Sequence, residues 1–155
     1  MIVYRIGFQK FIKDISGTGA ELHGGRWNPK GYRALYTSQT VGTSAMEYLV
    51  NLDAKLTGLK LALAVIEIPD NSIITIGEND LPANWKSYPA NESLSLIGKK
   101  WLDEKETLVL SVPSSVILLE RNFLINPKHE LFNKVKIKST HIYEINERIA
   151  KKLKL

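Results

Sequence analysis

The sequence predicts an α+β domain, and three observations carry the prediction. LALAVIEIP, Leu61 to Pro69, is a continuous apolar run closed by proline, the pattern of a buried strand. TVGTSAMEYLVNLDAKL, Thr40 to Leu56, repeats apolar residues at helical spacing. Strand and helix segments follow one another without the regular alternation of a doubly wound sheet, which favours a mixed arrangement. No internal repeat, low-complexity tract or proline- or serine-rich linker interrupts the 155 residues, so residues 1–155 read as a single domain.

In chain order, VYRIG (Val3 to Gly7) and ALYTS (Ala34 to Ser38) are short strands on either side of a glycine-rich loop. From Thr40 onward, Val41, Ala45, Met46, Leu49, Val50, Leu52 and Leu56 recur at helical spacing, predicting an amphipathic helix of about four turns. Thr40 or Ser38 supplies its N-cap, and Gly58 stands where it would end. The Leu61–Pro69 strand follows. ANESLSLIGKKWL, Ala90 to Leu102, aligns Leu94, Ile97 and Trp101 on a second helix. TLVLSVP and SVILL read as two strands broken at Pro113 and Ser114, VKIKS (Val135 to Ser139) as another, and Ile145, Ile149 and Leu153 mark a last helix.

Composition narrows the function classes. At 44% apolar and 24% charged residues the chain sits near the average for globular domains, which disfavours disordered, collagenous and membrane classes. A chain of this length buries roughly 68–70% of its unfolded surface without a staple. There is no cysteine, which excludes disulfides, cysteine nucleophiles and thiolate metal sites and suits a reducing, cytoplasmic setting. The start, MIVYRIGFQKFIKD, lacks an apolar core of signal-peptide length. The longest uncharged apolar run, TLVLSVPSSVILL, is too short to cross a bilayer, so no membrane association is expected.

The net charge of +5 is localised. Arg121 to Leu155 holds nine Lys or Arg against three acids, a net +6, leaving −1 for Met1 to Glu120. Within that segment Lys134, Lys136 and Lys138 alternate as on the exposed face of a strand. Lysines of this kind deter edge pairing, and a solvated edge is favoured over a docking surface for an acidic partner. No direct nucleic-acid contact is expected.

Familiar motifs fail. Gly17 and Gly19 begin a G-x-G, but Leu22 occupies the next required glycine position, and the phosphate loop and nucleophile elbow are absent. His23, His129 and His141 lack metal spacing and read as surface or loop histidines, with no metal site expected. What remains is HGGRWNPKG, His23 to Gly31, which gathers three glycines, a proline, an arginine and a tryptophan. Singly, Arg26 reads as a hydrated loop cation, Tyr36 as a core tyrosine with a wet hydroxyl, and Glu47 as a solvated helix residue. Together they offer a cation, an aromatic face and a carboxylate on one loop, strand and helix unit. Such a unit suits a phosphorylated, charged, ring-bearing ligand.

These residues resemble a known family. SGTGAELHGGRWNPKG, ALYTS and SAMEYL are similar to the RES domain, named for its arginine, glutamate and serine. The resemblance continues through LPANW, IGKKWL, VPSSVI and NFLINPKH, covering nearly the whole chain in order. It departs near the end, where Asn146 stands in place of an aspartate before x-Arg-Leu and Ile149 in place of the leucine.

The resemblance implies a fold similar to ADP-ribosyltransferases and a bacterial toxin that destroys NAD as substrate, without a cofactor. It implies as partner an antitoxin with a helix-turn-helix DNA-binding region of the Xre type. Carried over residue by residue, the site is Arg5, Arg26, Tyr36, Glu47 and Ser114. The nicotinamide of NAD is already a cationic leaving group, so the site must chiefly stabilise the oxocarbenium-like sugar left behind. Glu47 suits that role, electrostatically or by gripping a ribose hydroxyl. Arg5 and Arg26 suit the pyrophosphate, which a guanidinium grips in bidentate fashion, and the glycines would let backbone N–H groups approach it. Tyr36 would stack on the nicotinamide or reach a ribose oxygen. Ser114 would orient a ribose hydroxyl or the carboxamide, with no histidine placed to make it a nucleophile. Trp27 is expected to pack beneath the loop, with Asn28 and Pro29 shaping its turn. Water or phosphate would accept the ADP-ribose. Transfer to a protein and a non-enzymatic binding module for nucleic acid or a partner are the alternatives.

Overall fold

A computed structural model of the chain describes residues 1–52 and 60–153. Seven strands form one sheet: β1 (Ile2–Phe8), β2 (Leu35–Ser38), β3 (Leu61–Glu67), β4 (Ile73–Thr75), β5 (Val109–Pro113), β6 (Arg121–Ile125) and β7 (Lys136–Tyr143). Four helices accompany them: α1 (Thr18–His23), α2 (Val41–Val50), α3 (Glu92–Glu104) and α4 (Glu147–Leu153). The strand order is β4-β5-β6-β2-β1-β3-β7, antiparallel throughout except for the parallel pair β4 and β5.

Strand alternation gives the sheet two apolar faces. Val3, Leu35, Ala64, Ile66, Val109, Phe123 and Ile125 share one, closed by Ile12 and Val135. Leu110, Val112 and Leu124 share the other, packed against Trp27, Trp85, Leu94, Trp101 and Leu102. Leu94, Trp101 and the half-buried Ile97 are the stripe that the spacing of α3 predicts. The helix starts at Asn91, whose side chain accepts the Ser93 N–H. Gly98 is required by packing: a Cβ there would overlap the carbonyl of Trp27, so α3 lies against the glycine-rich loop backbone to backbone.

Several expectations are corrected. SVILL is a turn and not a strand, because Ser114 N–H bonds back to the Glu120 carbonyl and closes the chain on itself. The strand antiparallel to β5 begins only at Arg121. SGTGAELH contains α1, which the glycines conceal: Gly17 at φ +76° and Gly24 at φ +72° flank the helix as its caps.

The helix after Thr40 begins as expected, with the Thr40 side chain accepting the Thr43 N–H, but α2 ends at Val50 with Asn51 as its C-cap. Leu56 and Gly58 lie outside the described residues. Its buried residues are Thr43 and Ser44, whereas Met46 and Val50 are 40% and 57% exposed. The inner face is polar because it has polar partners: β1 and β2 pair at Tyr4 and Ser38, and two residues further along β1 the Ile6 N–H turns to Ser44 Oγ at 2.9 Å, while Thr43 Oγ1 donates to the Glu120 carboxylate at 2.8 Å. At one edge of the sheet, Lys136 and Lys138 lie on β7, and Lys138 reaches Glu67 on β3. Lys136 and Lys138 thus lie exposed on an edge strand as expected, whereas Lys134 ends a short 3-10 helix (Glu130–Lys134) before the strand and does not alternate with them.

Candidate active site

The glycine-rich loop is a tight turn. Gly25 and Asn28 exchange backbone hydrogen bonds, placing Arg26 and Trp27 at the tip. Trp27 turns inward, 2% exposed, into the core against α3. Asn28, equally buried, organises the turn: its Nδ2 donates to the carbonyls of Ala20, Pro29 and Tyr32, and its Oδ1 accepts from the Tyr36 hydroxyl at 2.7 Å. That hydroxyl also accepts the Trp27 N–H at 3.1 Å. Gly25 leaves the necessary room, since a Cβ there would fall 2.6 Å from the Tyr36 oxygen. The loop glycine thus admits a tyrosine beneath the turn. Burial pushes the Tyr36 phenol well above its ordinary value, so it remains a neutral donor.

Arg26 points the other way, half-buried, and donates through Nη1 to the carbonyls of Trp85 at 2.6 Å and Ser87 at 3.3 Å. Those contacts anchor one edge of the guanidinium on the end of LPANW and the residues just after it. Trp85 itself is buried among the residues under the loop.

Glu47 projects from the inner face of α2 toward β5 and β6. One carboxylate oxygen, Oε1, accepts from Ser114 Oγ at 2.8 Å and from Asn122 Nδ2 at 2.6 Å. Ser114 Oγ in turn accepts the N–H groups of Val116 and Ile117, which fold the SVILL turn around it. Asn122 Oδ1 accepts from Ser38 Oγ at 2.7 Å. Among the described residues, no hydrogen bond reaches Oε2 and no cation is ion-paired with Glu47. Ser38, Asn122 and Tyr36 lie on one face of the sheet, because Ser38 pairs with Asn122 and Tyr36 stands two residues before Ser38. The Arg26 turn, tied to Tyr36, therefore lies along the strand from the Glu47 carboxylate.

Arg5 is not bonded into this cluster. It pairs with Ala64 and alternates onto the face of Val3, opposite Tyr4 and Ser38. Its Nη1 donates to the Asp14 carbonyl at 2.7 Å. Burial lowers its basicity from the ordinary value, partly offset by the Asp14 carboxylate. Four of the five expected residues thus gather on one face, and the fifth braces the turn at Asp14.

Sequence reasoning missed Ser38 and the placement of Asn122. Asn122 opens NFLINPKH, but nothing in that string shows that it meets Glu47, 75 residues away. Asn126, in the same string, ties Leu102 to Lys128 through both ends of its amide and is structural. His129 is buried, its Nδ1 accepting the Leu131 N–H. No group of three or more His, Asp or Glu among the described residues could hold a metal ion.

A family model described as the RES domain matches residues 2–146. This chain belongs to the RES domain family. The RES domain is 38% identical over 133 residues to a Toxin Res of Yersinia enterocolitica, covering 85% of this chain and 88% of that protein. It is 33% identical over 135 residues to a Toxin Res of Photorhabdus laumondii, covering 86% of each. It is 30% identical over 142 residues to a Prs ADP-ribosylating toxin of Sphingobium sp., covering 90% of this chain and 88% of that one. Its fold is similar to a chain of the M. tuberculosis MbcT–MbcA toxin–antitoxin complex, with a TM-score of 0.73 at 16% identity, over 98% of this chain and 87% of that one.

The α+β, ADP-ribosyltransferase-like mixed sheet with flanking helices is the fold expected. At the departure from the family pattern, the Asn146 side chain accepts the Arg148 N–H at the start of α4. Asparagine and aspartate fill such a helix-start position equally well.

Proposed function

We propose that this RES domain is the toxin of a bacterial toxin–antitoxin pair and that it depletes NAD by cleaving the nicotinamide–ribose bond. The supporting observation is the Glu47 carboxylate, held through one oxygen by Ser114 and Asn122 while the other accepts no bond among the described residues. An anchored carboxylate whose orientation is set before substrate arrives needs no reorganisation as positive charge develops on a sugar. The C1″–N bond breaks with its electron pair leaving on neutral nicotinamide, and a new C1″–O bond forms to water or phosphate, whose proton is released. Glu47 stabilises the cationic sugar between those events. Ser114 acts through Glu47, because its proton is committed to the carboxylate and its lone pairs to two N–H groups.

Arg26 takes the diphosphate with the guanidinium edge that Trp85 and Ser87 leave open. Arg5, on the opposite face of the sheet and bonded to the Asp14 carbonyl, is left out of the diphosphate contact that the family resemblance implies and braces the Asp14 turn instead. Tyr36 offers a ring face, its hydroxyl being engaged under the loop. NAD is substrate, with no separate cofactor. A protein antitoxin, of the Xre helix-turn-helix type, is the expected partner; likeness in fold to a chain of a toxin–antitoxin complex supports a protein partner.

A second reading, transfer of ADP-ribose to a protein, is favoured by the likeness to a relative named an ADP-ribosylating toxin. Purified protein incubated with adenine-labelled NAD separates the two. Free nicotinamide with soluble ADP-ribose, or with its 1″-phosphate when phosphate is added, supports depletion. Label retained on protein supports transfer, and no nicotinamide release refutes both. In cells, induction without its partner should lower NAD per cell and arrest growth; arrest with an unchanged NAD pool counts against depletion.

A further inference from the structure

The reading of Glu47 as the group that stabilises the sugar cation leaves open which residues decide how its carboxylate is turned. The hydrogen bonds from Ser38 to Asn122 and from Asn122 to Glu47 form a chain with a single consistent direction. An ionised carboxylate only accepts, so Asn122 must present its NH₂ to Glu47. Its carbonyl then faces Ser38, whose hydroxyl must donate. Ser38 is buried on β2 and Asn122 half-buried on β6 at the paired position, so the carbonyl end of the amide is set within the sheet and its NH₂ end is turned to Glu47 on α2. The geometry points to Asn122, oriented by Ser38, as the positioning residue that pins Oε1 of Glu47 and leaves Oε2 for the substrate.

The logic is that of a carboxylate held at one end. Ser114 reaches Oε1 from the end of β5 and Asn122 reaches it from β6, so two strands fix one oxygen. Without Asn122 the carboxylate keeps only Ser114 and can rotate about its terminal bond, exchanging its oxygens. The charge remains but its direction is lost, which lowers turnover more than it weakens ground-state binding. The other titratable groups of the surrounding elements are Tyr48 on α2; Glu120, which accepts from Thr43 Oγ1 on α2; Arg121 on β6, which donates to Ser111 and Ile76; Tyr36 and Arg26; and Tyr4 and Arg5 on β1. None of them is hydrogen-bonded to Glu47 or Asn122.

Nicotinamide release by the parent, Asn122→Ala, Asn122→Asp and Ser38→Ala, each checked for folding by circular dichroism, tests the catalytic half. Loss of a hydrogen bond to a charged group predicts that kcat of Asn122→Ala falls about 10- to 100-fold while KM for NAD changes by less than about threefold. Ser38→Ala falls in the same direction by less. Asn122→Asp keeps the shape. It places a second carboxyl against Glu47, so the pair shares a proton at acidic pH, and the protonated carboxyl introduced at position 122 donates as the amide did. Its activity is present at acidic pH and is lost as pH rises and the shared proton leaves, an alkaline limb that the parent lacks. A parental pH profile for Asn122→Asp, or a KM effect without a kcat effect in Asn122→Ala, overturns the positioning role.

The relay has its own readout, independent of turnover. In protein carrying ¹⁵N-asparagine, the side-chain NH₂ signal of Asn122, assigned by its disappearance in Asn122→Ala, should shift in Glu47→Gln and in Ser38→Ala. A signal unmoved by both overturns the relay. If the parent releases no nicotinamide, the reading of Glu47 fails and the catalytic half with it, while the amide signal still decides whether the relay exists.

Discussion

Replacing Asn28 by alanine should unravel the turn that carries Arg26. The side chain is 1% exposed, donates to three backbone carbonyls and accepts from the Tyr36 hydroxyl. Its two N–H hydrogens serve those three carbonyls, so about three full hydrogen bonds are lost. At roughly 1 kcal/mol each, with an added penalty for polar groups left buried without partners, the loss is about 3–4 kcal/mol. For a domain of this size that lowers Tm by roughly 10 °C. Urea unfolding should show a lower midpoint with an unchanged slope, because the same surface is exposed. A double-mutant cycle with Tyr36→Phe isolates the Asn28 to Tyr36 bond and should give a coupling of about 1 kcal/mol. Asn28→Asp is the sharper variant: it keeps the volume and the acceptor but turns a carboxylate toward three carbonyl oxygens. That environment raises the carboxyl pKa in the folded state, so stability is recovered below the unfolded value, about 3.9, and lost as pH rises through the folded value. A loss under about 1 kcal/mol in Asn28→Ala, or an Asn28→Asp protein as stable at neutral as at acidic pH, would refute the reasoning.

Three other outcomes are expected. Glu47→Gln should fold normally, since an amide oxygen can still accept from Ser114 and Asn122, while nicotinamide release falls by about 10²–10³ with the charge; near-parental turnover would remove Glu47 from its role. Arg26→Lys should raise KM for NAD, because an ammonium cannot hold the Trp85 and Ser87 carbonyls on one edge and a diphosphate on the other; steady-state kinetics decide, and an unchanged KM would return Arg26 to a structural tie. Gly98→Ala should destabilise by about 1–3 kcal/mol or more in denaturant titration, because its methyl would occupy the position of the Trp27 carbonyl; parental stability would show that α3 can withdraw without cost.

What the sequence determined by itself is whatever local chemistry dictates. The apolar run closed by Pro69 becomes β3, the stripe of Leu94, Ile97 and Trp101 becomes α3, and the lysines at 136 and 138 mark an edge strand. Local pattern also picked out Arg26, Tyr36 and Glu47 as unusual company, and the string of motifs indicated the family. Local pattern misled where long-range bonds decide. SVILL has the composition of a strand, but Ser114 and Glu120 close it into a turn. The apolar residues of α2 suggest which face is buried, but Ser44 goes inside to take the Ile6 N–H of β1 and Thr43 to reach the Glu120 carboxylate before β6. Only the tertiary structure brings Asn122 and Ser114 to one carboxylate and Ser38 to Asn122 behind it, through contacts that span 67 to 84 residues of chain. Hydrogen-bond direction across paired strands depends on register, and register is set by the whole sheet and not by any one of its segments.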